Sequence, residues 1–160
     1  MTQTQAKARA AMTGTGGKPR VLIEEWLPAA AIGVECIRER STGQQPPDKR
    51  MHVWWARRPL TASRAAVLGS LLPADFPRDV FERLLGFGRP SGDLVRIQRL
   101  MDAGVRIPGG FGVGRAFTRG LPDRDLDQAH AAMRELWGED VAVIDPMSGG
   151  GSIPLEAARI

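Results

Sequence analysis

The stretch Asp145-Pro146-Met147-Ser148-Gly149-Gly150-Gly151-Ser152-Ile153-Pro154-Leu155-Glu156-Ala157-Ala158-Arg159-Ile160 combines an acidic residue, a glycine run and a helix-forming tail. Just before it, Val141-Ala142-Val143-Ile144 is a short apolar run of the kind that forms a strand buried on both faces of a parallel sheet. The order is strand, acid, glycine turn, helix. Glycines let a backbone approach a ligand closely, and a helix N-terminus offers unpaired N–H groups and the positive end of a dipole. Asp145 would repel a phosphate, so a ligand with an ammonium group suits the turn better, and S-adenosylmethionine has one. An ordinary helix cap is the simpler use of such residues, but three consecutive glycines exceed what capping needs. Asp145, Pro146, Ser148, Gly149, Gly150, Gly151 and Ser152 are therefore the expected cofactor-binding positions.

A second cluster is His52-Val53-Trp54-Trp55-Ala56-Arg57-Arg58-Pro59-Leu60. Proline suits a first helical turn, where its missing N–H would have no intrahelical partner. Arg57 and Arg58 form either a solvated basic pair or a grip on phosphate. Trp54 and Trp55 stack on a base or adenine ring, or anchor the core as they enter the helix. Arg64 and the arginines from Arg78 to Arg119 are further candidates for phosphate. Cys36 is the single cysteine, and with only His52 and His130 beside it no metal site is expected. No catalytic residue is assigned.

Helical spacing organises most of the remainder. Glu24 to Arg40 predicts a helix through Leu27, Ala31, Val34 and Ile37, stopped by Gly43. Ser41 to Arg50 is a polar proline loop. The helix opened by Pro59 carries Leu60, Val67, Leu68 and Leu71 and ends before Pro73. Pro77 to Leu85, Asp93 to Met101 and Asp125 to Trp137 predict three more. Gly104 to Gly120 is glycine-dense and aperiodic, a loop whose GFGVG core is a weak phosphate-loop signal and more simply a connector. The expected organisation is a flexible leader over 1–20, a helical domain over 21–76, an Arg/Gly-rich helical and loop segment over 77–139, and a first βα unit over 140–160. The expected fold class is an α/β fragment, mostly helical and then opening the first βα unit of a truncated Rossmann-like domain.

Composition narrows the classes of function. Apolar residues make up 42% of the chain, and no apolar run approaches the roughly 20 residues that a bilayer needs. The first residues lack the apolar core of a secretory signal, and one cysteine closes no internal disulfide, so a cytoplasmic setting without membrane contact is expected. Twenty-two basic against 18 acidic residues give a net charge of +4, with 19 arginines to three lysines. Arginine favours planar contacts to phosphate, although a GC-rich genome would also enrich it.

DPMSGGGSIPLEAARI resembles the first cofactor-binding motif of S-adenosylmethionine-dependent methyltransferases, in the DP-x-x-G-x-G-[ST] form of enzymes that methylate exocyclic amino groups of bases. LIEEWLPAAAIGVECIRERSTGQQPP and HVWWARRPLTASRAAVLGSLLP resemble the N-terminal domain of large adenine-specific DNA methylases. Leu22 to Pro73 and Val141 to Ile160 carry the likeness. It implies S-adenosylmethionine as cofactor, DNA as partner, and a restriction-modification or phage-defence setting. It also implies that Arg57, Arg58 and Pro59 set a positive helix start near the cofactor carboxylate. The family's later [DNS]-PP-[YF] tetrapeptide, which receives the target amino group, does not occur here. Pro46-Pro47 lies between Gln45 and Asp48, and the chain has no tyrosine or asparagine. An acidic ribose-binding residue at the end of a second strand is missing too. The expectation is a truncated or split methylase piece, inactive alone and completed by a separate downstream polypeptide. The glycine motif equally resembles that of RNA guanine-N2 methyltransferases, with WWARRPL favouring DNA. Rivals of another class are a non-catalytic DNA-binding or interaction module and a gene remnant.

Overall fold

A computed structural model describes residues 18–40, 58–139 and 141–160. Seven α-helices form among them: α1 (Leu22–Glu25), α2 (Ala29–Arg40), α3 (Leu60–Leu71), α4 (Arg78–Leu84), α5 (Ser91–Asp102), α6 (Asp123–Trp137) and α7 (Ser152–Arg159), with a 3₁₀ turn at Ala116–Thr118. None of these helices is long and apolar enough to cross a membrane.

The expected helix from Glu24 to Arg40 is two helices broken over Trp26–Pro28. Proline in a helix interior would remove a hydrogen bond and clash with the preceding turn, so Pro28 ends one run and opens the next. The expected Rossmann-like βα unit is not formed. Among the described residues there is no strand; Val21 and Pro73 form an isolated antiparallel bridge. Val141–Ile144 has no strand partner among the described residues, and Ile144 is 85% exposed. A strand satisfies its backbone groups only against a neighbouring strand. The apolar run has the composition for a sheet without a second strand among the described residues to pair with.

α3 is the central element. Leu60, Thr61, Ser63, Arg64, Ala65, Val67, Leu68 and Gly69 are all buried, so it has almost no solvent face. α1, α2, α7 and the 3₁₀ turn all pack against it. Its N-cap, Pro59, offers no side-chain acceptor. The acceptor comes from α2, where Glu39 Oε1 takes the Leu60 N–H at 2.9 Å and Oε2 the Thr61 N–H at 3.3 Å. At the other end Pro73 prevents continuation. Gly69 lets α1 approach, since a β-carbon there would lie 3.2 Å from Ile23 Cβ.

The core gathers Leu22, Leu68, Leu72, Phe81, Leu84, Leu85, Leu94 and Ala129. Burying each of the larger side chains contributes about 1.5–3 kcal/mol, well above an exposed ion pair at roughly 0–1 kcal/mol. Trp26 meets Phe81 edge-on at 6.1 Å, with the Arg78 guanidinium 4.9 Å from the indole centroid. α6 is tied to α3 by Trp137 Nε1 donating to Leu71 O at 2.7 Å. It is tied to α4 by Arg83, whose Nε and Nη2 donate to the two Asp125 oxygens at 2.8 and 3.1 Å.

α4 ends in a Schellman turn, with Phe87 N donating to Glu82 O at 3.1 Å and Gly86 N to Arg83 O at 2.9 Å. Gly86 has φ +82°, and a β-carbon there would lie 2.3 Å from Ala116 O. Gly86→Ala combines that clash with a left-handed backbone, so it should destabilise by at least about 1–3 kcal/mol; urea unfolding checks this. The Arg83 hydrogen bonds hold the Asp125 carboxyl below its ordinary pKa. A depressed carboxylate contributes stability above its unfolded pKa of about 3.9 and loses it as pH falls through the lower folded value. Melting temperatures across acid pH should therefore fall more steeply for the unaltered chain than for Asp125→Asn, which starts lower at neutral pH.

Candidate functional site

The glycine turn folds by local rules. Asp145 Oδ1 accepts the Met147 N–H at 3.1 Å across Pro146, and Ser148 O accepts the Gly151 N–H at 2.8 Å. Gly149 and Gly151 have φ of +51° and +72°, in the left-handed region that glycine adopts without strain. α7 follows, its first turn lacking both an acidic residue and a side-chain cap. Its leading N–H groups have no carbonyl within the helix to receive them. Pro146, Met147, Ser148 and Gly149 are exposed, and Asp145 and Gly150 half-buried.

Two contacts seat this turn on α3. Ser152 Oγ donates to Arg58 O at 2.8 Å, just ahead of the helix. One turn further into each helix, Arg64 Nε donates to Glu156 Oε2 at 2.5 Å, with both side chains at 0% exposure. Arg64 Nη1 also reaches Leu85 O at 3.3 Å, and Arg159 Nη1 donates to the second Glu156 oxygen at 2.9 Å. Arg64 Nη2 is buried without a hydrogen-bond partner among the described residues. Burial pulls the Arg64 guanidinium below its ordinary pKa, and the Glu156 carboxylate opposes that shift.

These positions sort the sequence-derived candidates. Arg58 is exposed and Pro59 half-buried, and Arg58 meets the glycine segment through its own carbonyl and Ser152. Asp145 through Met147 and Ser148 through Gly151 form two successive turns that lead into α7 at Ser152. Trp54, Trp55 and Arg57 lie outside the described residues, as does His52. Arg64, expected to hold nucleic acid, instead is sealed in the interior against Glu156, so its guanidinium cannot touch a strand in this fold. Its spacing carried that signal, because Arg64 lies four residues from both Leu60 and Leu68 on the buried stripe. Glu156, three residues after Ile153 and four before Ile160, carried the same one. Glu35 and Glu39, overlooked in the sequence, are buried on α2. Cys36 is half-buried, and burial, then the Glu39 charge, push its thiol pKa up. That keeps the thiol protonated and poorly nucleophilic.

Residues 26–84 match a family model described as Protein of unknown function (DUF1156). The match covers a little over a third of the chain, from Trp26 to the end of α4. It includes α3 and Arg64, while Glu156 and the glycine turn lie beyond it. No curated protein and no solved structure matches the chain.

Removing one partner of a buried ion pair leaves an uncompensated charge in the interior, worth about 3–5 kcal/mol. Glu156→Leu should destabilise on that scale, and Arg64→Met with Glu156→Leu should recover most of the loss. A double-mutant cycle by chemical denaturation reads the coupling.

Proposed function

We propose that this chain supplies the methionine-end cofactor turn of an S-adenosylmethionine-dependent DNA adenine-N6 methyltransferase. The observation that carries the reading is the seating of the Asp145–Ser152 turn on the start of α3, through Ser152 Oγ and Arg58 O at 2.8 Å. The two segments that resemble such enzymes are thus neighbours in space.

The residues present suit the cofactor's methionine end. Asp145 uses Oδ1 within the turn, and its other oxygen makes no hydrogen bond within the turn and is an acceptor for an ammonium group. The leading N–H groups of α7 suit a carboxylate. Gly149 and Gly151 keep side chains off the turn, where a β-carbon would be strained. When bound, S-adenosylmethionine supplies an electrophilic methyl group. In this reading Asp145 orients the amino acid end, Arg58 adds positive charge beside it, and the Arg64–Glu156 pair fixes the turn against α3. The residues that receive the target amino group belong to a separate polypeptide or segment.

Isothermal titration of the chain with S-adenosylmethionine tests this. Binding is expected, with Asp145→Asn weakening it about tenfold through loss of one charge-assisted contact. No heat at millimolar cofactor, or affinity indifferent to Asp145, overturns the cofactor reading. Incubation with labelled cofactor and adenine-containing DNA should yield no methyl transfer by the chain alone, and robust transfer would overturn the assignment of the amino-receiving residues elsewhere.

A further inference from the structure

α2 packs against α5, and small residues near their contact leave a groove of about 750 Å³ between them. Residues 26–31 form one wall, and the face of α5 between Ser91 and Leu100 forms the other. Ala29 and Ala30 carry only a methyl group each, and a β-carbon at Gly92 would meet nothing within 4 Å. The lining is mainly apolar, with Trp26, Leu27 and Val95 half-buried and Leu100 exposed. Its charged members are Arg96 and Arg99, and no acidic residue among the described ones lines it. Arg96 donates to Asp93 at 3.4 Å, whereas Arg99 is exposed and makes no ion pair among the described residues.

The same chain carries an apolar stretch with nothing to cover it. Val141, Ala142, Val143 and Ile144 are all exposed, and they belong to neither a helix nor a strand. The stretch is held outside the core between two anchors. Before it, Trp137 Nε1 donates to Leu71 O at 2.7 Å, and after it Ser152 Oγ donates to Arg58 O at 2.8 Å. Consecutive apolar side chains are costly in water until another surface covers them. Glu139, just ahead of the stretch, is exposed and makes no ion pair among the described residues.

Groove and stretch match in length and in charge. Drawn out, four residues span roughly 13 Å, and α5 rises about 12 Å from Gly92 to Leu100. Laid antiparallel to α5, the stretch sets its aliphatic side chains against Trp26, Leu27, Val95 and Leu100, and brings Glu139 to Arg99 at the end of the groove. Within one copy the stretch does not line the groove. Residues 1–17 contain Lys7 and Arg9 and no acid, so they lack the charge to answer Arg99. We propose that residues 141–144 of a second copy of this chain occupy the groove between α2 and α5. Each copy then offers a segment to one neighbour and a groove to another, a head-to-tail contact. The contact makes no use of cofactor or nucleic acid and stands independently of the methyltransferase reading.

Sedimentation velocity of the whole chain, from micromolar to near-millimolar concentration, should show mass rising above that of a single copy. Ile144→Asp and Arg99→Glu should each weaken the association at least about tenfold. Both side chains are exposed, so circular dichroism should not change. At a concentration where each variant alone is a single copy, an equal mixture of the two should associate, because one keeps its groove and the other its segment. Glu139→Arg added to Arg99→Glu should restore much of the loss. In the unaltered chain, amide NMR signals of Gly92 and Val95 should shift with concentration together with those of Val143 and Ile144, a reading that needs no variant to fold. A chain that stays a single copy throughout overturns the proposal. Association that Ile144→Asp abolishes and Arg99→Glu leaves untouched overturns the groove and leaves segment pairing with segment. Groove signals indifferent to dilution overturn the second copy and leave the groove to other residues of the same chain or to a different partner.

Discussion

The contact between Arg64 and Glu156 ties the helical core to the glycine segment. Both groups are withdrawn from water, and each is tolerable there only because the other is present. The pair sets the register of α7 against α3, and Ser152 then closes the remaining gap to Arg58. Arg64 also reaches the end of α4 through Leu85, where Gly86 admits the carbonyl of Ala116. One guanidinium therefore joins α7 to the end of α4. Its Nη2 has no hydrogen-bond partner among the described residues.

Electrostatics divide the molecule into two kinds of site. Around α7 an acid and a helix start lie close together, which suits a zwitterion. Beside the Gly109–Val113 loop, Glu35 pairs with Arg38 and accepts the Ala116 N–H. The two regions are joined through α2 and α3, and the buried carboxylates Glu35 and Glu39 of α2 each hold a neighbouring segment by its backbone N–H groups. Acidic side chains here organise backbone.

Much of the helical layout was legible because apolar spacing and proline punctuation act locally. Leu60, Val67, Leu68 and Leu71 marked α3, Pro73 its end, and Leu126, Ala129 and Met133 the buried stripe of α6. The break at Pro28 was legible too, but the apolar period ran across it and masked it. The expectation at Val141–Ile144 failed because strand formation is a property of pairs, and composition reports only one member. The turn at Asp145–Ser152 was visible as a glycine motif, whereas its seat on α3 was not. That seat depends on Arg64 and Glu156, charged residues on apolar stripes that are 92 positions apart. A charge at a core position reads as surface until its partner is known.

The way α3 begins bears on how the chain acquires its structure. Helix nucleation is unfavourable until the first turn is fixed, and most helices ease that step with a nearby side-chain cap. α3 has Pro59 at that place and borrows Glu39, 21 residues earlier on α2. Its first turn therefore gains its acceptor only when α2 is already formed and alongside. The stability of the first turn of α3 is therefore coupled to the docking of α2. The docking of α7 is coupled to α3 in turn, because its buried Glu156 has Arg64 as partner.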